Sequence, residues 1–182
     1  GHTAFSSASI GIAMGCSRYI EPEELLRDAD VAMYKAKTAG KARYELYDAT
    51  MHDQAVSLLN LETELRGAAG RDEFVVHYQP IVSLPECRLT GFESLVRWQH
   101  PERGLVSPCD FIPIAEETDL IVHIDRWVLR RACEQMVEWR GILPDGENLS
   151  VSVNLSSKQF VRPDLVEFIA DVLAETGMDP AR

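Results

Sequence analysis

The sequence predicts an α/β fold, and three observations carry that prediction. Leu149-Ser150-Val151-Ser152-Val153-Asn154-Leu155 alternates strictly between apolar and polar residues, the period-two signature of a strand. From Leu89 onward, strand-like and helix-like stretches follow in the order strand, helices, strand, helix, as parallel βα units do. The β-branched and aromatic stretches at 74–82 and 89–98, joined by a Pro/Glu/Cys turn, read as an antiparallel pair.

The elements follow in chain order. Residues 8–14 are short and partly alternating, which predicts a strand. Glu21-Pro22-Glu23-Glu24 opens a helix, with proline in the first turn and acids at the positive end of the dipole. Leu25, Leu26, Ala29, Ala32, Met33 and Ala36 continue it at helical spacing, and Gly40 stops it. Residues 44–47 read as a further strand. A second helical stretch covers 51–69, with Ala55, Leu58, Leu59, Leu65 and Ala69 roughly on one stripe, a natural connector between two units. His100-Pro101-Glu102-Arg103-Gly104 is a turn by composition. Ser107-Pro108-Cys109-Asp110 resembles a cap ahead of Phe111, Ile112, Ile114 and Ala115. Ile121, Ile124, Trp127, Val128, Ala132, Met136 and Trp139 define the next helix, closed by Gly141. Pro163 opens a last helix through Leu165, Val166, Ile169 and Leu173. A strand–helix–strand at the start is too small for a domain, and residues 71–182 fall short of the about 250 that a βα-barrel needs. Each unit is therefore expected to be part of something larger.

Composition excludes several classes. Hydrophobic residues at 46% are enough to fill a core, so disorder is excluded. A net charge of −11 makes DNA a poor partner, because a basic face supplies most of that affinity. No apolar run approaches the roughly 20 residues of a membrane segment. Cys16, Cys87, Cys109 and Cys133 form no Cys-x-x-Cys pair, so they read as reduced thiols of a cytosolic protein rather than a zinc or redox site.

A few residues are out of place for a bland core. Glu93 lies inside an apolar strand, and a carboxylate buried there needs a partner. Arg97, four residues on, shares its face. The two read either as a Glu–Arg pair or as a metal ligand beside a cation for an anionic substrate. Asn154 falls near the C-terminal end of its strand, where βα-barrels carry their active sites. It either caps the strand exit or offers its amide oxygen to Mg2+ or Mn2+. Gln79 ends a strand or hydrogen-bonds a base or ribose. Lys37 and Lys41 either answer the helix dipole or grip a phosphate. His77, His100 and His123 have no metal-ligand spacing and read as structural or solvent-facing. No G-x-S-x-G, P-loop or Cys/His dyad is present.

Together the strings resemble two bacterial signalling modules. Leu26-Arg27-Asp28-Ala29-Asp30-Val31-Ala32-Met33-Tyr34-Lys35-Ala36-Lys37, with Gly40-Lys41 after it, resembles the C-terminal end of a GGDEF (diguanylate cyclase) domain. Tyr78-Gln79-Pro80-Ile81, Gly91-Phe92-Glu93-Ser94-Leu95-Val96-Arg97-Trp98, His100-Pro101-Glu102-Arg103-Gly104 and Val151-Ser152-Val153-Asn154-Leu155-Ser156 resemble an EAL domain, the cyclic di-GMP phosphodiesterase. The resemblance implies residues 1–48 as the end of a GGDEF α/β domain, 49–70 as a helical connector, and 71–182 as the first part of an EAL-type βα-barrel whose first strand runs antiparallel to the rest. It implies Glu93 and Asn154 as ligands of Mg2+ or Mn2+, Arg97 as a contact to substrate phosphate, Gln79 as a residue lining the site, and Lys37 and Lys41 as GTP-phosphate contacts. The implied parent hydrolyses cyclic di-GMP to linear pGpG with a metal-bound water, forms a homodimer through its EAL domains and is cytoplasmic, with any membrane attachment supplied by other segments. The alternatives are a catalytically silent cyclic di-GMP receptor or scaffold, and a parent whose output is diguanylate cyclase activity.

Two departures from the pattern stand out. The signature reads Glu-Ser-Leu rather than Glu-Ala-Leu, with Ser94 on the strand face opposite Glu93. The family's later acids, its paired aspartates and its catalytic lysine are absent from the chain, as is the GGDEF signature loop. Residues 1–182 are therefore expected not to hydrolyse cyclic di-GMP by themselves.

Overall fold

The computed structural model describes residues 7–15, 19–144 and 146–182, with the side chains of 54, 55 and 58 also outside the description. The chain divides into two compact units, Gly1–Thr63 and Glu64–Arg182. Cys16, and Ala55 and Leu58 of the expected connector stripe, lie outside what is described.

In the first unit, β1 (Ile10–Ile12) and β2 (Tyr44–Leu46) pair in parallel, and α1 (Pro22–Thr38) crosses between them. Pro22 stands in the first turn, and a reciprocal capping box of Glu21 and Glu24 satisfies the exposed amides there. Small residues set the packing distance. Ala32 and Ala36 are fully buried, and a Cβ on Gly11 would lie 2.0 Å from the Ala29 carbonyl oxygen. Helix and strand meet backbone to backbone at that point, which only glycine permits.

The helix α2 (Ala49–Ala68) spans the division between the units. Met51 is buried near its start, and toward its end buried Leu61, Leu65 and Ala68 recur at i, i+4 and i+7, whereas Leu59, expected on that stripe, is exposed. Two residues of helix separate Leu59 from Leu61 by about 200°, so the two cannot share a face.

In the second unit, β4 (Arg88–His100) is the central strand. On one edge β3 (Phe74–Ser83) runs antiparallel to it, with Phe74 opposite Trp98 and Gln79 opposite Glu93. On the other edge β6 (Ser150–Val153) runs parallel beside Gly91–Ser94, and β5 (Gly104–Val106) runs antiparallel beside Trp98–His100. The helices α3 (Pro108–Glu117), α4 (Leu120–Arg140), α5 (Ser157–Phe160) and α6 (Leu165–Thr176) complete the unit. Ser107 caps α3 by accepting the Cys109 N–H, as its sequence predicts. The last helix starts at Leu165 rather than at Pro163, because α5 and a turn take up the intervening residues. Neither β5 nor α5 is foreseen in the sequence.

Two clusters hold the unit together. Cys133, Met136, Leu149, Val172 and Met178 are buried, with Phe92, Trp139 and Val151 packed around them. Phe74, Trp98 and Phe111 form the other, their ring centroids 5.8–6.3 Å apart in tilted and edge-on arrangements. Around the second cluster runs a polar frame. Glu73 accepts the Trp98 Nε1–H at 3.0 Å and is paired with Arg71. Glu64, on α2, lies 3.2 Å from His100 Nε2 and 3.3 Å from Arg103 Nε. His100 Nδ1 accepts the amides of Glu102 and Arg103, so this histidine is a buried structural residue.

The Arg71 hydrogen bond, opposed by burial and helped by Trp98, holds the Glu73 carboxyl below the ordinary carboxylate range. Folding therefore favours the ionised form. The stabilisation is complete above the unfolded-state value of about 4.3 and is lost as pH falls through the lower folded-state value. Glu73→Gln is expected to lower the melting temperature at pH 7, and the gap from the parent protein should close below about pH 4. Melts followed by tryptophan emission at both pH values check this; a gap that does not narrow would count against it.

Candidate functional site

Strand β4 sets the site by its alternation. Phe92, Ser94 and Trp98 share the face on which α4 packs, and Glu93, Leu95 and Arg97 share the other. Gln79 is the register partner of Glu93 across the antiparallel edge, and Ser152 is its partner across the parallel edge. Three neighbouring strands thus present Gln79, Glu93 and Ser152 in one row.

Asn154 joins that row from beyond the end of β6. Its Nδ2 donates to Glu93 Oε1 at 2.7 Å, across 61 residues of sequence. Glu93 and Arg97 share a face as their spacing requires, but the partner of Glu93 is Asn154. The Arg97 guanidinium donates to the Val96 carbonyl at 2.8 Å instead.

Ser94, where the signature departs from alanine, is 2% exposed and donates from Oγ to the Ser152 carbonyl at 3.0 Å. The hydroxyl ties β4 to β6 directly beneath the Glu93–Asn154 pair. Ser94→Ala is expected to cost about 1 kcal/mol, a drop of on the order of 3–6 °C in Tm. An unchanged midpoint in calorimetry would refute it.

A cavity of about 280 Å³ opens beside these residues, lined by Arg97, Glu116, Asp125, Asn154 and Ser156 among apolar side chains of α3 and α4. Sequence reasoning missed Asp125. It lies on the buried stripe of α4 between Ile121 and Val128, where a charge needs a reason, and that misplacement was the available signal. Its Oδ2 accepts both the Ser156 N–H at 2.9 Å and the Ser156 hydroxyl at 2.6 Å. Burial pushes the Asp125 carboxyl above its ordinary value, and the two Ser156 bonds oppose that rise.

The Asn154 amide turns its Nδ2 toward Glu93 Oε1; turned over, it would set its oxygen beside the carboxylate as a donor pair of the hard type that Mg2+ and Mn2+ prefer. Among the described residues no group of three His, Cys, Asp or Glu side chains is placed to hold a metal ion. Lys37 and Lys41 belong to the first unit. Lys37 is exposed in the last turn of α1, and Lys41 follows that helix with φ +60° while its amide donates to the Ala36 carbonyl. Among the described residues no helix is long and apolar enough to cross a membrane.

Comparison with known proteins gives this geometry a context. The chain is 40% identical over 181 residues to the bifunctional diguanylate cyclase/cyclic di-GMP phosphodiesterase MucR of Pseudomonas aeruginosa, covering 99% of this chain and 26% of that protein. It is 37% identical over 175 residues to the cyclic di-GMP phosphodiesterase PdeR of Escherichia coli, covering 96% and 26%. It spans only about a quarter of the length of these curated relatives. Among solved structures, the PaMucR phosphodiesterase in complex with c-di-GMP superimposes with a TM-score of 0.62 at 41% identity, over 67% of this chain and 49% of that one. The FimX EAL domain of Xanthomonas citri with c-diGMP gives 0.57 at 30% identity, over 69% and 47%. The EAL domain profile matches residues 62–182, which hold the whole β3–β6 sheet with Gln79, Glu93 and Arg97 on it and Asn154 just past the end of β6. With that match and its mixed α/β architecture, the chain belongs to the EAL domain family.

Proposed function

We propose that residues 71–182 form the first part of an EAL barrel with an antiparallel first strand, and that this part carries one side of a cyclic di-GMP site. The observation that carries the reading is the Asn154–Glu93 contact of 2.7 Å, which brings a side-chain amide and a carboxylate together across 61 residues of sequence, so that turning the amide over would set its oxygen beside the carboxylate. In this reading Glu93 and Asn154 hold Mg2+ or Mn2+, and Gln79 lines the site beside them. A bound divalent ion would supply an activated water and neutralise charge on the phosphodiester. Arg97, on the same face of β4, meets a phosphate oxygen with a charge-assisted bond. The parent protein is a phosphodiesterase that converts cyclic di-GMP to linear pGpG. Residues 1–48 are the end of a GGDEF domain in which Lys37 and Lys41 face GTP phosphates, and 49–70 connect the two. A cytoplasmic homodimer paired through EAL domains, with no DNA partner, fits the acidic composition.

A second reading, binding without turnover, is favoured for residues 1–182 by themselves. Among the described residues no cluster of three acidic, histidine or cysteine groups is placed to hold a metal ion, and the Asn154 amide donates to Glu93. Equilibrium dialysis of cyclic di-GMP with Mg2+, followed by chromatography of the nucleotide, tests both. Expected are binding that weakens about tenfold or more in Arg97→Ala and no linear dinucleotide. Equal binding by the parent chain and Arg97→Ala would overturn the site, and linear product would overturn the second reading.

A further inference from the structure

We propose that Asp125 is a positioning residue that holds Asn154 against Glu93, acting through Ser156. The parallel ladder between β4 and β6 ends at the pair Ser94–Val153, so Asn154 is the first residue no longer held by strand pairing. Two residues later the chain is held again, at Ser156. There the amide and the hydroxyl both donate to Asp125 Oδ2, at 2.9 and 2.6 Å. Asn154 therefore sits on a two-residue span fixed at one end by the ladder and at the other by Asp125.

The anchor is stiff. Asp125 is 6% exposed, in the second turn of a 21-residue helix, with Ile121, Ile124 and Val128 buried around it. Ser156 is also the N-cap of α5, its Oγ accepting the Gln159 N–H at 3.3 Å, so the same residue fixes the start of the next element. Two donors converging on one oxygen use both lone pairs of that atom, which a carboxylate oxygen or an amide carbonyl provides and an apolar side chain does not. Because such supporting contacts orient the atoms that ligate, their loss shows as misplacement of the ligand rather than as loss of the fold.

The inference rests on the role proposed above for Asn154, but it is tested without nucleotide or metal. The 15N-labelled chain is compared with Asp125→Ala, Asp125→Asn and Glu93→Ala by following the Asn154 side-chain amide and its exchange with water. In the parent chain the bonded Nδ2 proton is expected downfield and protected. Asp125→Ala should move it most of the way to its position in Glu93→Ala, with tryptophan emission showing the core intact. Asp125→Asn, which keeps an acceptor oxygen, should restore it in large part. An Asn154 signal unchanged in Asp125→Ala, while the Ser156 amide becomes exchangeable, would overturn the proposal. If Asp125→Ala does not fold, Ser156→Ala decides: it removes one of the two bonds and should produce the same shift at smaller amplitude, and no shift would overturn the proposal. Failure to bind cyclic di-GMP would leave this outcome standing and count only against the proposed function.

Discussion

Trp98→Ala is expected to destabilise the Glu64–Arg182 unit by about 3–5 kcal/mol, a fall in Tm on the order of 10–20 °C. Trp98 is 0% exposed, stacks edge-on against Phe111 and His100, and lies beside Phe74. Removing the indole leaves a cavity between β4 and α3 and also takes a donor from buried Glu73. Trp98→Phe separates the two losses, since it refills most of the volume but supplies no N–H. It should cost about 1–3 kcal/mol, the desolvation penalty of a group left short of a partner. Urea titrations of both variants check the ordering. A Phe variant as unstable as the Ala variant would show that the hydrogen bond, and not the ring packing, dominates.

Gly91→Val should be about as damaging and should also disable the site. A Cβ at Gly91 would stand 2.4 Å from the Ser150 carbonyl oxygen and 2.6 Å from its Oγ. The obstacle is backbone of the neighbouring strand, which cannot swing aside as a side chain would. Since Gly91 opposes Ser150 at the start of the β4–β6 ladder, the strands must part there. The cost is about 3 kcal/mol or more. The expected functional mark is loss of the Asn154–Glu93 contact, read as exposure of the Asn154 side-chain amide to exchange. A folded Gly91→Val chain with that amide still protected would contradict this account.

What could be read in the sequence follows from what is local. The alternation at 149–155 and the runs at 74–82 and 89–98 declare strands because every second residue must face the core. The same period puts Glu93 and Arg97 on one face. Strand β5 has three residues, Gly104-Leu105-Val106, too few to show any period, and exists because the turn at Pro101–Arg103 folds it back onto Trp98–His100. Helix α5 is a single turn defined by its Ser156 cap. The Glu93–Asn154 contact depends on the register of a parallel pairing, which no local pattern encodes. Asp125 was visible as a charge on an apolar stripe, but its partner Ser156 lies 31 residues away on a different element.

The 61 residues that separate Glu93 from Asn154 also impose an order in time. The β3–β4 hairpin closes over a short turn and can form within roughly 1–10 μs of leaving the ribosome. The parallel strand that brings Asn154 requires α3 and α4 first. At about 5–20 residues per second of synthesis, those 61 residues take roughly 3–12 s to appear. Throughout that interval a nascent chain displays the Glu93 carboxylate and the bare edge of β4 without their eventual neighbours. The site is thus assembled late, by an element that must close a long loop, and its completion reports that the preceding helices have already docked.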